Sequence, residues 1–187
     1  MFLRALVGRE RYMLSSCAAL AAAAAASPQL RREAFRKRLL RGTLAGTSVV
    51  QAWGTVERTF PCLEWEPGIV AEYERHRDAG RRILVASGGL SFCLSILLQM
   101  KGLRFDDLLA TEMKTEGGVF TGEMVDRSCT GDEKARRVRI WLEGTTGEVW
   151  CYGNLPHDEA MLALSDHPTV VVAKPKWNHI FNWNIVP

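Results

Sequence analysis

The spacing of hydrophobic positions along the chain changes near residue 62. Before it, apolar residues recur at helical spacing and predict helices over 12–26, 29–40 and 49–60, with Trp53, Val56 and Phe60 in the core. After it, helical stretches alternate with short apolar runs rich in β-branched residues. This alternation predicts an α/β fold in which helices cover a mostly parallel sheet.

The second part divides into elements that the pattern bounds closely. A helix is expected over 67–78 with Gly80 after it, because Pro67 suits a first turn and glycine suits a C-terminal cap. The remaining predictions are a strand at 83–86, a helix at 90–100, a strand at 107–111, a small β excursion at 112–125, a helix beginning near 130, and strands at 148–152 and 170–172.

Two of these strands end in residues that carry chemistry. The strand at 83–86 stops at Ser87, Gly88 and Gly89. These three residues either form an ordinary loop or allow the backbone to approach an anion closely. The strand at 148–152 leads to Asn154 and Asp158, hard oxygen ligands of the kind that suit Mg²⁺. Carboxyl ends of parallel strands are the usual ligand-binding edge of an open α/β sheet.

Composition narrows the class of protein only slightly. With 187 residues, 47% hydrophobic and 24% charged, the chain is ordinary for one globular domain. A net charge of +3 is too small to argue for nucleic acid as a partner. The five cysteines are scattered without metal-ligand spacing, so they predict neither a disulfide framework nor a zinc site and favour a reducing, cytoplasmic setting.

The first forty residues leave alternatives open. The apolar run at 12–26 follows three arginines, which is typical of a signal peptide, but its alanines equally favour a helix and it is too short to span a bilayer. The default interpretation of the helix at 29–41 is that its basic side chains form a face exposed to solvent. Its alternative role is a surface for phosphorylated substrates or for anionic lipid head groups, which would place the protein at the periphery of the inner membrane.

Three motifs together resemble a known family. Val85-Ala-Ser-Gly-Gly, Gly131-Asp-Glu-Lys134 and Tyr152-Gly-Asn are similar in order and spacing to motifs two, three and four of the haloacid dehalogenase superfamily. The chain looks most like subfamily IB, the phosphoserine-phosphatase-like branch. Residues 2–8 also resemble a helix of members that act on lipid phosphates, such as phosphatidylglycerophosphatase C.

The resemblance implies a fold, a cofactor and residue roles. It implies a three-layer Rossmann-like core at 63–187, a helical cap at 1–62, and Mg²⁺-dependent hydrolysis of a phosphomonoester through an aspartyl-phosphate. Ser87 and Gly88 would bind the phosphoryl oxygens, and Lys134 would bind the phosphate and offset its charge. Asn154 and Asp158 would hold the metal, and the substrate would be a phosphoserine-like small molecule or a lipid phosphate. Lys134 alone would otherwise be interpreted as a solvated charge.

The sequence departs from the family pattern in two places. It contains no Asp-x-Asp-x-Thr motif, since no aspartate precedes Asp78, and Asn154 stands where many members have aspartate. We therefore expect the first core strand and the attacking aspartate to be missing, with two unpaired strand edges and a slot in the core. Met1 is then an internal methionine, or the reading frame is shortened. Two hypotheses follow: a truncated phosphatase, or a non-catalytic phosphate-binding module that has lost the reaction.

Overall fold

The computed structural model of the chain describes residues 2–60 and 65–172. It divides into two compact units, each assembled from several segments of the chain. The first comprises Met1–Pro61, Leu90–Gly102 and Thr111–Ser128, and the second comprises Cys62–Gly89, Leu103–Ala110 and Cys129–Pro187. The predicted division at residue 62 into a cap and a core stays a prediction.

The elements alternate between helices and short strands after the first sixty residues. In chain order they are α1 (Phe2–Val7), α2 (Arg9–Ala25), α3 (Arg31–Leu44), α4 (Val49–Thr59), α5 (Pro67–Asp78), β1 (Leu84–Leu90), α6 (Ser91–Lys101), β2 (Asp107–Thr111), β3 (Met113–Glu116), β4 (Val119–Met124), α7 (Gly131–Leu142), β5 (Trp150–Gly153), α8 (Glu159–Leu162) and β6 (His167–Val170). The fold is mixed α/β with short, mostly parallel strands, as predicted. None of the described helices is long and apolar enough to cross a membrane.

The first unit packs α1 to α4 and α6 with the antiparallel hairpin of β3 and β4. Val56 and Phe60 are buried as predicted, whereas the prediction for Trp53 is wrong, because this side chain is 49% exposed. The buried face of α4 is formed by Ala52, Thr55 and Val56, and Trp53 lies on its flank. The spacing of apolar residues alone did not distinguish the buried face of α4 from the exposed position of Trp53 beside it.

The hairpin meets helix α3 at a position that requires glycine. Gly122 in β4 has a φ of +84°, and a Cβ at this residue would lie 3.0 Å from the carbonyl oxygen of Arg41. It would also lie 2.8 Å from the Cβ of Ala45. Both the backbone conformation and the close approach of α3 therefore exclude a side chain there.

The second unit contains two strand pairs that begin in the same way. The carbonyl oxygen of Ile83 accepts from the N–H of Asp107, and the Asp106 carboxylate accepts from the N–H of Ile83. In the second pair, the carbonyl oxygen of Val149 accepts from the N–H of His167, and the Asp166 carboxylate accepts from the N–H of Val149. In each pair, therefore, an aspartate fixes the start of one strand beside the start of the other, so the two strands run in the same direction.

The start of β6 and the end of β1 differ from the strand bounds that the sequence predicted. The last strand was expected at 170–172, but β6 begins at His167 and pairs in parallel with β5. Pro168 made this segment a poor strand candidate, yet proline is tolerated on an edge strand. The residues Ser87 to Gly89, predicted to form a turn, continue β1 as far as Leu90.

Candidate active site

Ser87 and Gly88 lie in the last part of β1, beside the beginning of α7. The Ser87 hydroxyl oxygen accepts a hydrogen bond of 3.0 Å from the N–H of Gly89. A Cβ at Gly88 would lie 2.6 Å from the Cγ2 atom of Thr130, which precedes α7. Gly88 does not have a positive φ, so it is the close approach of Thr130 that leaves no room for a side chain at this position.

Lys134 and Asp158 form an ion pair in the interior of the second unit. The Nζ atom of Lys134 donates to Oδ1 of Asp158 at 2.6 Å, and the two side chains are only 8% and 2% exposed. Lys134 is thus not the solvated charge that its position at a helix start would suggest by default. Because a buried ammonium and a buried carboxylate are each costly alone, each requires the other as its partner.

Asn154 and Asp158 close the loop after β5 by reciprocal hydrogen bonds. The N–H of Asn154 donates to Oδ2 of Asp158 at 3.1 Å, and the N–H of Asp158 donates to the carbonyl oxygen of Asn154 at 2.9 Å. Oδ1 of Asp158 accepts from Lys134, so both oxygens of this carboxylate already have a partner. The loop therefore presents Asp158 to α7 in one fixed orientation.

Gly153 allows this loop to fold back, and a side chain there is expected to disrupt it. A Cβ at Gly153 would lie 2.7 Å from the Cβ of Asp158. We expect Gly153→Ala to lower the free energy of unfolding by about 1–3 kcal/mol through overpacking. Gly54→Ala, in helix α4, is the control. The nearest atom to a Cβ at this position belongs to the end of the long Arg58 side chain, which can shift by a few tenths of an ångström, so the change should be neutral or stabilising. Urea unfolding followed by circular dichroism measures both, and equal midpoints would contradict the prediction.

Two contacts bring predicted site residues to the beginning of α7. Gly88 abuts Thr130 at the start of this helix, and Lys134 reaches Asp158 from its second turn. In the described part of the chain there is no group of three or more histidine, cysteine, aspartate or glutamate side chains that could hold a metal ion. Asp158 and Asn154 have the oxygen chemistry that Mg²⁺ prefers, but they supply one carboxylate and one amide only.

A second polar cluster, which the sequence did not predict, lies on α5 and β5. The hydroxyl group of Tyr152 donates to Glu72 at 2.7 Å and lies 2.8 Å from Nε2 of His76. Arg81 donates to Nδ1 of His76 at 2.8 Å. These contacts assign His76 as the neutral tautomer with its proton on Nε2, which donates to the Tyr152 oxygen.

Burial and neighbouring charges favour the neutral form of both His76 and Tyr152. Burial, together with the cations Arg75 and Arg81, lowers the pKa of His76 below its ordinary value. Burial and the hydrogen bond to Glu72 raise the pKa of Tyr152 to about 12. Both residues are therefore neutral at physiological pH. The only sequence signal for this cluster was the i,i+4 spacing of Glu72 and His76 on one helix face.

The remaining histidines of the described chain lie outside this cluster. His157, in the loop before Asp158, is exposed. His167 stacks on Trp150 with ring centroids 4.6 Å apart. The sequence pattern of the tail from Trp177 to Trp183, rich in tryptophan and histidine, predicts a structural role, but this segment lies outside the described residues.

Cys151 of β5 is expected to react slowly with alkylating reagents. Burial, with a contribution from the Asp158 carboxylate, raises the pKa of this thiol to about 11 from 9.0. At pH 8 the thiolate fraction is thus about a hundredfold smaller than for an ordinary cysteine. We expect iodoacetamide, followed by peptide mass spectrometry, to label the exposed Cys17 first, with Cys151 labelled faster as the pH rises toward 11. Equal rates for Cys17 and Cys151 at pH 8 would contradict this.

Comparison with known proteins gives a relative by sequence and several by structure. The chain is 28% identical over 153 residues to a phosphoserine phosphatase from Polaromonas sp. strain JS666, covering 78% of this chain and 61% of the relative. It therefore spans less than two thirds of the length of that curated relative.

Solved structures show the same fold. A protein of unknown function from Bordetella pertussis Tohama I superposes with a TM-score of 0.64 at 20% identity, over 89% of this chain and 84% of the other. A haloacid dehalogenase family hydrolase from Salmonella enterica serovar Typhi gives 0.64 at 16% identity, over 99% of this chain and 63% of the other. The family model for haloacid dehalogenase-like hydrolases matches residues 1–163. The chain belongs to the haloacid dehalogenase-like hydrolase family.

Proposed function

We propose that this chain carries the phosphate-binding and metal-binding residues of a Mg²⁺-dependent phosphomonoester hydrolase. The observation that carries the proposal is the buried pair of Lys134 and Asp158 beside the carboxyl ends of β1 and β5. A lysine that is desolvated and held in one position interacts strongly with a phosphate group that approaches it. Burying an ion pair costs desolvation free energy. A role in binding an anion would explain why this pair lies at the carboxyl ends of the strands, where ligands bind to sheets of this kind.

Ser87 and Gly88 would supply the neutral hydrogen-bond donors to the same phosphate group. The oxygen of Ser87 accepts from Gly89, which leaves its hydroxyl hydrogen to donate to a phosphoryl oxygen. The backbone N–H of Gly88 would be the second donor. Donors fixed in this way need little rearrangement when negative charge builds up on the phosphoryl oxygens.

Asn154 and Asp158 would hold Mg²⁺, with the other ligands supplied by water and by the phosphate. When bound, the metal would neutralise charge on the phosphoryl oxygens. Mg²⁺ commonly uses only one or two carboxylates together with substrate oxygens, so one carboxylate and one amide are compatible with a weak site. Asp158 would have to serve both the metal and Lys134.

An aspartyl-phosphate mechanism needs an attacking carboxylate in addition. In this family the Asp-x-Asp-x-Thr motif provides it, and the sequence contains no such motif. We therefore separate phosphate binding, which needs Ser87, Gly88 and Lys134, from hydrolysis, which needs the carboxylate as well. The second candidate function is a non-catalytic phosphate-binding module, which needs the same three phosphate-binding residues but no attacking carboxylate.

Phosphoserine is the first substrate to test, because the curated relative is a phosphoserine phosphatase. Calorimetric titration of the chain with phosphoserine, with and without Mg²⁺, measures binding, and a phosphate-release assay on the same sample measures hydrolysis. Binding that is strengthened by Mg²⁺ and lost in Lys134→Met supports the proposed site. Release of phosphate separates the hydrolase from the non-catalytic module, and no binding of phosphoserine, phosphatidylglycerophosphate or inorganic phosphate would refute both.

The outer side of α3 suggests a lipid phosphate as the alternative substrate. Its exposed basic residues are Arg31, Arg32, Lys37, Arg38 and Arg41. Exposed apolar side chains of the same unit, Leu14 and Leu20, are 73% and 61% exposed. We propose a peripheral contact with anionic membranes in a cytoplasmic protein. Sedimentation with phosphatidylglycerol vesicles, reduced in Lys37→Glu/Arg38→Glu, would support it, and equal sedimentation with phosphatidylcholine vesicles would contradict it.

A further inference from the structure

Helix α7 is attached to strand β2 by Glu133, Arg137 and Trp141, which we call the polar line of α7. These residues recur at the spacing that places them on one face of the helix. Arg137 donates to the carbonyl oxygen of Ala110 at 3.2 Å, and the indole N–H of Trp141 donates to the Asp107 carboxylate at 2.8 Å. Asp107 is the first residue of β2, and Ala110 is the last but one. The polar line therefore attaches α7 to both ends of one strand.

The guanidinium group of Arg137 is held on Ala110 by the Glu133 carboxylate. The Nε atom of Arg137 donates to Oε1 of Glu133 at 2.8 Å, and the two side chains are only 15% and 10% exposed. Hydrogen bonds from Arg136 and from Arg137 lower the pKa of Glu133 to about 2, so this carboxylate is charged at physiological pH. Because a planar guanidinium with two fixed partners keeps one orientation, Arg137 fixes the rotation of the first turns of α7 relative to β2.

The neighbouring face of the same turns carries the proposed phosphate-binding groups. Lys134, which directly follows Glu133, reaches Asp158 across the interior of the unit. Thr130, which precedes the helix, leaves no room for a Cβ at Gly88. Both contacts depend on where α7 begins and how it is turned about its axis. A lysine side chain is a flexible stem, so its ammonium group has a fixed position only if the helix that carries it is fixed.

Apolar packing under α7 does not determine this rotation. Ala135 and Val138 of α7 pack against Met161 of α8, and such contacts are not directional. A hydrogen bond prefers a straight donor angle, so the bond from Arg137 to the carbonyl oxygen of Ala110 restricts the rotation that apolar contacts permit.

We propose that Arg137 is a positioning residue: it holds α7 in the rotation that places the ammonium group of Lys134 beside Asp158, where this group would meet a bound phosphate. The inference rests on the proposed phosphate site for its effect on binding, but the placement of Lys134 can be measured without phosphate. A charged group that is displaced by about 1 Å loses much of its effect on a ligand, so a residue that holds such a group in place acts on binding without touching the ligand.

The test follows the Lys134 side chain by nuclear magnetic resonance in a chain with isotope-labelled lysine. Its Cε–Hε signal is identified by its loss in Lys134→Arg. Arg137→Met removes the bond to Ala110, while Arg136 still pairs with Glu133 in this variant. We expect the Lys134 signal to shift in Arg137→Met and to return toward its wild-type position in Arg137→Lys, which restores a donor. Titration with inorganic phosphate should give a Kd about tenfold higher in Arg137→Met.

Two control variants distinguish positioning from attachment of the helix. Arg136→Met removes a partner of the same Glu133 carboxylate, but this arginine is 55% exposed, so the Kd for phosphate should change by less than about twofold. Trp141→Phe removes the bond to Asp107 at the far end of the polar line. It should lower the urea midpoint while the Lys134 signal and the Kd for phosphate stay as in the wild type.

The outcomes distinguish a failure of this inference from a failure of the proposed function. A Lys134 signal that keeps its wild-type position in Arg137→Met overturns the positioning role, as does a shift of equal size in Trp141→Phe. If Arg137→Met does not fold, Arg137→Gln, whose polar side chain is too short to replace the bond, is measured in its place and decides by the same criterion. A shifted Lys134 signal in a chain whose wild type does not bind inorganic phosphate supports the placement of Lys134 by Arg137 and refutes the phosphate site.

Discussion

Replacement of Lys134 by methionine is expected to lower the free energy of unfolding by about 3–5 kcal/mol. The side chains of Lys134 and Asp158 are 8% and 2% exposed, and the ion pair between them measures 2.6 Å. Methionine retains most of the volume of lysine but leaves the Asp158 carboxylate buried without a positive partner. Urea unfolding followed by circular dichroism measures the loss directly.

A double-mutant cycle distinguishes loss of the pair from loss of packing. Asp158→Asn removes the negative charge, and its amide oxygen can still accept from the N–H of Asn154. The variant Lys134→Met/Asp158→Asn is therefore expected to lose less stability than the sum of the two single variants, with a coupling of about 1–3 kcal/mol. Additive losses would mean that the buried pair contributes no specific interaction.

The surface pair of Lys114 and Glu123 provides the matched control. Its two side chains are 50% and 52% exposed, and its ions lie 3.4 Å apart. Lys114→Met should cost less than about 1 kcal/mol, because solvent screens an exposed pair. The same substitution at two lysines then separates the effect of burial from that of removing a positive charge.

The helices and most strands followed from hydrophobic spacing because their buried faces are regular. Val56 and Phe60 of the first unit show this, since both lie at the spacing of one helical face and both are buried. Prediction was wrong where a single position departs from its surroundings: Trp53 on the flank of α4, and Pro168 within an edge strand. Neither property is encoded in the local pattern, because each depends on which neighbour covers the residue.

The candidate site was predicted residue by residue, but its contacts were not. The motifs indicated Ser87, Lys134 and Asp158 separately. The burial of Lys134 and Asp158 and the direct bond between them depend on how α7 packs against the loop after β5. The cluster of His76 and Tyr152 was missed because these residues are 76 positions apart and belong to no motif. Long-range polar contacts of this kind leave no periodic signal in a sequence.

Replacement of Ser87 by alanine is expected to lower phosphate release about a hundredfold in a form of the enzyme that turns over, because one fixed donor to the phosphoryl group is lost. The cost in stability should be about 1 kcal/mol, since the hydroxyl makes one local bond, with the N–H of Gly89. Ser165→Ala is the control: this hydroxyl also makes one local bond, to the carbonyl oxygen of Leu162. It should cost similar stability and leave phosphate release unchanged. If both variants release phosphate at the wild-type rate, Ser87 is a structural residue at the end of β1 and the phosphate site must lie elsewhere.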